Sequence, residues 1–215
     1  MESSDLSLVT AMRPTLFVTL CVDLAQTPSP VQAYRASIAV RWSPDNGPDV
    51  DLAELSERTG IDVRNYVPEV ANALPDGLVA AVGEGRFATV DLSAPDCWDG
   101  LTGYSHDVSM VGEALLGEGF DQAELRAAFP VVHQRAVIVE HVEVVPEWQG
   151  AGYGLVATKL VLRELGRCAD VAALYPMQPG LADLDERQAS SERLARYWAQ
   201  LGFARFNGIM AKSLA

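Results

Sequence analysis

The sequence predicts an α/β chain of the α+β kind, in which strand and helix signals interleave, and three stretches carry that reading. The run AVIVEHVEVV (136–145) is rich in β-branched residues and is followed, past a glycine-rich turn, by the helix-period segment LVATKLVLRELGRCAD (155–170). The same alternation repeats at once in VAALY (171–175) and SSERLARYWAQLGF (190–203). The N-terminal half opens on two further runs rich in β-branched and aromatic residues.

Taken in order, residues 15–24 and 34–42 read as strands separated by the proline-containing QTPSP. The Pro/Asp/Gly content of 43–50 marks a loop, and a helix follows in DLAELSERTG, with Asp49 or Asp51 as cap and Gly60 as stop. RFATVDL reads as a strand, HDVSMVGEALLGEG as a helix stopped by glycine, and QAELRAAF as a further short helix. In the strand 136–145, Ile138, Glu140 and Val142 point one way and Val139, His141 and Glu143 the other. Polar side chains on both faces suit a strand whose end reaches a site. The next helix sets Val156, Leu160, Leu155, Leu162 and Leu165 along an apolar side and Lys159, Arg163 and Arg167 on another, a solvated face. VAALY is a short buried strand, 176–189 a long loop, and SSERLARYWAQLGF a helix with a serine start and a Gly202 stop. ARF and GIMAKSLA form a closing hairpin around Asn207 and Gly208.

Composition narrows the classes. A chain of 215 residues with 49% hydrophobic content can bury a core within one domain. The opening MESSDLS has no basic and apolar signal pattern, and the run TLFVTLCVDL is interrupted by Asp23, so a cytoplasmic protein with no membrane partner is expected. Cys21, Cys97 and Cys168 form no CxxC pair, which argues against a disulfide framework or zinc site and for small buried residues. His106, His133 and His141 lack metal-ligand spacing, so no metal is expected. A net charge of −13 weighs against a nucleic-acid partner. That charge is uneven: residues 1–134 hold 20 acidic and 7 basic side chains, whereas 135–215 hold 9 of each.

Between strand and helix lies PEWQGAGYG. A strand that passes through glycines into a helix is an anion-binding arrangement, because the first helical amides lack intrahelical partners and the dipole is positive there. The dinucleotide spacing GxGxxG fails at Leu155, and no GK[ST] follows for a P-loop. What fits is Gln149-Gly150-Ala151-Gly152-Tyr153-Gly154, read as Q-x-x-G-x-G behind V-x-P-E-x. This resembles the acyl-CoA motif of the GNAT superfamily of N-acyltransferases, and the elements after it, through LGF, follow in the family's order.

The resemblance implies a GNAT-like mixed, mostly antiparallel central sheet with flanking helices and a splayed strand pair holding acyl-CoA. It implies one domain over 1–215, with 135–215 as the acyl-CoA half and the acidic 1–134 as the acceptor side. It further implies that the backbone from Gly150 through Ala151, Gly152 and Tyr153 to Gly154 holds the CoA pyrophosphate, with Gln149 closing the loop. Val144 and Val145 would meet the pantetheine arm, the Val144 amide polarising the thioester carbonyl. Ser191 stands where many members place an asparagine near the pantetheine, and Lys159 could reach a CoA phosphate.

The implied activity is N-acetyl transfer from acetyl-CoA to a primary amine by direct attack through a tetrahedral intermediate. Glu140, six residues before Pro146, occupies a base position, with His141 next and Glu143 able to turn inward only through a bulge. Where the family places its thiolate-protonating tyrosine this chain has Trp198, which would pack beside the pantetheine or the acceptor, preceded by Tyr197 one helical step of about 100° away. The acid is then Tyr197 after helix rotation, Tyr175, Tyr104, a water, or none. The acidic half suits a cationic acceptor, a polyamine, aminosugar, amino-acid derivative or peptide amine; solubility accounts for that acidity equally. A monomer or homodimer is expected. The competing classes are a non-catalytic acyl-CoA-binding or sensing module and a structural, partner-binding domain.

Overall fold

The computed structural model describes residues 14–23, 29–42, 78–116, 123–130, 132–150, 152–178 and 180–214. The expected loop at 43–50, the helix in DLAELSERTG, the glycine stop after Leu116 and Ala151 lie outside the described residues. In chain order the elements are β1 (Pro14–Asp23), β2 (Val31–Trp42), β3 (Leu78–Asp91), α1 (Cys97–Tyr104), α2 (His106–Leu116) and α3 (Ala123–Ala128). They continue with β4 (Arg135–Val144), α4 (Tyr153–Leu165), β5 (Val171–Leu174), α5 (Leu184–Ala199), β6 (Ala204–Phe206) and β7 (Ile209–Ser213). The strands form one mixed, mostly antiparallel sheet in the order β1-β2-β3-β4-β5-β7-β6, flanked by helices.

The chain divides into two compact units, one of residues 1–19, 37–84 and 143–157, the other of 20–36, 85–142 and 158–215. In the second, β4 pairs parallel with β5 through Ala136↔Val171, Val137↔Ala172 and Ile138↔Ala173. β5 pairs antiparallel with β7, and β7 with β6. Ala136, Val137, Ile138, Val139 and all four residues of β5 are buried, the signature of strands covered on both faces. One face meets α1 and α2: Ala136, Ile138, Val171, Ala173, Ile209 and Ala211 pack with Leu101, Val108, Val111 and Leu115. The β6–β7 turn places Asn207 at φ 44° and Gly208 at φ 84°, the two positive angles of a tight hairpin, as the Asn-Gly pair foretells.

Five departures from the sequence reading stand out. β3 begins at Leu78, well before Arg86, and α1 was not anticipated in the short stretch CWDGLTGY. α5 begins at Leu184, not at the serines, because Asp183 caps it by accepting hydrogen bonds from the Asp185 and Glu186 amides at 2.9 and 3.0 Å. Its first turns are polar and buried nowhere before Ser190, so no apolar period announced them. On α4 the buried side is Gly154, Ala157, Thr158, Val161 and Leu162, while Val156 is 48% exposed. Leu162 is buried as expected, whereas the small Gly154, Ala157 and Thr158 join the packed face in place of Val156. Finally, only Cys97 is buried; Cys21 and Cys168 are exposed, on β1 and in the turn after α4. Burial, reinforced by the Asp91 and Asp96 charges, pushes the Cys97 thiol up to about 11, which keeps it protonated and inert. No helix among the described residues is long and apolar enough to cross a membrane.

Asp170, 2% exposed, ties the entrance of β4 to that of β5. Its Oδ1 accepts from the Val132 and His133 amides, both at 2.9 Å, and its Oδ2 from the Arg135 amide at 3.4 Å. Burial pushes this carboxyl up, but the amides of His133, Val132, Arg135 and Gln134 outweigh it and hold the group below the usual carboxylate range. A lowered folded-state value means that the stabilisation is complete above the unfolded value, about 3.9, and is lost as pH falls through the folded value. Asp170→Ala strands buried amides and should cost about 2–4 kcal/mol at pH 7 in urea unfolding, with a smaller difference from wild type at pH 3. A difference independent of pH would show that the charge of Asp170 is immaterial.

Candidate functional site

The parallel pairing of β4 and β5 ends at Ile138↔Ala173, although β4 runs on to Val144. The next residues of the same face, by the period of two, are Glu140 on β4 and Tyr175 beyond β5. They would form the next rung. Instead the strands splay, because Pro176 follows Tyr175: proline has no amide to donate and holds the residue before it extended. A tight turn, Met177 N–H to Tyr175 C=O at 2.9 Å, then leads the chain away.

The splay opens a cavity of about 430 Å³ lined by Glu140 and Tyr175 together with His106, Asp107, Gln178 and Arg187, among others. The break between α1 and α2 brings the first of these helical groups in. Ser105 is extended, at φ −157° and ψ 163°, which ends α1, and its Oγ accepts from the Val108 amide at 3.3 Å, which starts α2. His106 and Asp107 are therefore the first residues of α2, and the His106 ring stands edge-on to Tyr175 with centroids 6.5 Å apart.

Glu140 is the least solvated charge of this cavity. Its side chain is 7% exposed, and its Oε1 lies 3.9 Å from Arg86 Nη1, too long for a hydrogen bond. Its Oε2 is buried and has no hydrogen-bond partner among the described residues. A buried carboxylate oxygen without a donor costs free energy that a ligand N–H could recover. Arg187 stands at another part of the wall, its Nε donating to the Leu181 carbonyl at 2.6 Å. Gln178 is fixed by Ser190 Oγ and Arg193 Nη2, each 3.2 Å from its Oε1.

The other unit holds the glycine loop. Val145 donates its N–H to Val82 on β3 at 2.9 Å, while the carbonyl of Val144 accepts from Gln149 Nε2 at 2.8 Å. Within a strand the N–H and C=O of one residue share an edge, so the Val144 amide also faces away from β3. Pro146–Trp148 make a 3₁₀ turn, and Trp148 is buried edge-on to Tyr153, with centroids 5.3 Å apart. Gly150 at φ 84° and Gly152 at φ 77° occupy backbone conformations that disfavour side chains, and a Cβ on either would meet nothing within 4 Å. These glycines serve the backbone path and leave open space beside it. The first helical bond of α4 runs from Val156 N–H to Gly152 C=O at 3.1 Å, so the amides of Tyr153 and Leu155 precede it.

The remaining sequence candidates fall elsewhere. His141 has the opposite parity from Glu140 and does not line the cavity, and Glu143 is exposed. Tyr104 is 38% exposed at the end of α1. Trp198 is buried between Tyr197 and Phe203, with ring centroids at 5.0 and 6.2 Å, and Ser191 is half-buried beside it on α5. Neither Tyr197 nor Trp198 lines the cavity. Lys159 is exposed on α4. His106, Asp107, Gln178 and Arg187 escaped the sequence reading; the Ser105 cap just before His106 was the one local signal for the first two. Among the described residues no cluster of His, Cys, Asp or Glu is arranged to hold a metal ion.

Comparison with protein-family models, with curated proteins and with solved structures finds no match for this chain. The fold stands on its own geometry: a mixed, mostly antiparallel sheet flanked by helices, with a splayed parallel pair, in a GNAT-like topology.

Gly83 on β3 is a packing requirement in the glycine-loop unit. A Cβ there would run into the backbone carbonyl oxygen of Glu143 and stand 3.0 Å from the Val144 Cα. Gly83→Ala should therefore destabilise the protein by about 1–3 kcal/mol, read as a lower urea midpoint with unchanged slope. An unchanged midpoint would mean that β3 yields at no cost.

Proposed function

We propose that the protein is an acyl-CoA-dependent N-acyltransferase that moves an acetyl group from acetyl-CoA to a primary amine. The observation that carries this reading is the splay after Ile138↔Ala173, which gives β4 a free edge beside a cavity holding the buried carboxylate of Glu140. A strand edge left without its neighbour can pair with an extended ligand arm, as the pantetheine of CoA is. The glycine loop supports the same reading, since its amides and positive-φ glycines suit a pyrophosphate. In this proposal residues 135–215 are the acyl-CoA half of one domain and 1–134 the acceptor half.

The chemistry follows from the residues assigned. The amine, bound by Glu140, gives that carboxylate a proton as its nitrogen attacks the thioester carbon. The oxygen takes up the negative charge, and the resemblance assigns its stabilisation to the Val144 amide. The carbon–sulfur bond then breaks, an amide remains, and the CoA thiolate leaves with a proton. Tyr175 is the donor we assign for that proton, because it shares the cavity with Glu140, whereas Tyr197 packs on Trp198. A protein that binds acyl-CoA without turnover is the second reading, favoured by the burial of Trp198 at the position where a tyrosine was expected.

Two measurements test these assignments. With an amine acceptor, Glu140→Gln should lower kcat/KM about 10²- to 10⁴-fold in a thiol-release assay, with CoA affinity preserved. Activity equal to wild type would remove Glu140 from the mechanism. Acetyl-CoA at about 100 times its Kd should stabilise the full chain by about 2.7 kcal/mol, seen as a concentration-dependent rise in Tm. Gly152→Val should shrink that rise, and no rise at all in wild type would overturn both readings.

A further inference from the structure

The charges around the cavity select among amines, and we infer that the acceptor is an amino-carboxylic acid, an amine bearing a carboxylate, rather than a simple amine or polyamine. The inference rests on the acyl-transfer reading for the amine end and on Arg187 for the other. At one wall Glu140 Oε2 is buried with no donor among the described residues, a place for an ammonium or amine N–H. At another stands Arg187, on the first turn of α5. Only its Nε is used, by the Leu181 carbonyl at 2.6 Å, and this bond fixes the plane of the guanidinium. Its two Nη groups have no ion pair among the described residues, and among the described lining residues it is the one Arg or Lys, His106 being the other nitrogen base.

A guanidinium held by one donor and open at the others is suited to a planar, bidentate acceptor, which a carboxylate is. A polyamine would set a second cation beside Arg187 and gain nothing from it. A dicarboxylate would meet Glu140 and the half-buried Asp107 with like charge. A ligand with one charge of each sign satisfies both walls, and a cavity of about 430 Å³ accommodates a free amino acid. By this account Arg187 decides which amines are kept.

The experiment is calorimetric titration of the full chain, without CoA, with a panel of L-amino acids and the amines obtained by removing their carboxylates. At least one amino acid should bind about 10- to 100-fold more tightly than its decarboxylated partner, the range expected of hydrogen bonds to a charged group. Arg187→Gln should bring that ratio close to one, and Arg187→Lys should restore part of it. Equal binding of acids and amines by wild type, or a ratio unchanged in Arg187→Gln, overturns the inference. Thiol release with the same panel separates the two claims. Transfer to amines with no preference for the carboxylate leaves acyl transfer standing and sinks this inference; Arg187-dependent amino-acid binding with no thiol release does the reverse.

Discussion

β4 and β5 stay in register for three residue pairs and then part, and the candidate site exists because they part. Parallel strands buried on both faces are held tightly as long as each rung supplies a donor and an acceptor. Pro176 interrupts that supply one residue past Tyr175, at a point where β4 has six residues still to run. What would have been core becomes wall. Ile138 and Ala173 are the last pair of their face, and the two residues that follow, Glu140 and Tyr175, are the first that carry chemistry.

The same face explains why the helical residues of the cavity come from one corner. α1 and α2 cover the apolar part of β4, β5 and β7, so the junction between them must pass close to where that apolar part ends. Ser105 makes the corner by closing one helix and capping the next. Its neighbours His106 and Asp107 thereby share a cavity with Glu140, from which they are distant in sequence. α5 is anchored at both ends. Asp183 caps its start, and Lys212 of β7 donates to the Leu201 carbonyl at 2.9 Å just past its last turn. That anchoring sets where Arg187 stands.

Glu140 makes the energetics of this arrangement one-sided. A carboxylate 7% exposed, with an arginine at 3.9 Å and one oxygen without a donor, is poorly compensated in the protein alone. Asp170, just before β5, is the contrast: 2% exposed, it is met by three backbone amides and is a structural anchor. The two acids differ in function because one has its partners within the fold and the other does not.

Much of this was legible in the residues themselves. β-Branched runs, glycine stops and the Asn-Gly turn follow from local sterics, so β4, β5, the closing hairpin and the glycine loop were readable from 136 onward. Glu140 and Tyr175 were both named as candidates, but nothing in the residues joined them. α4 was found with its apolar side only partly in phase: Leu162 is buried as expected, but Val156 is exposed and Gly154, Ala157 and Thr158 are buried, since helical packing depends on which neighbour arrives. α5 was begun seven residues late because a polar helix start has only its cap to announce it. By itself the sequence determined which elements form and where the backbone can turn, both being consequences of steric preference over a few residues. Only the tertiary structure decided which polar side chains share a cavity, because that depends on the register of β4 with β5 and on where the register stops, and both are set by contacts between residues far apart in the chain.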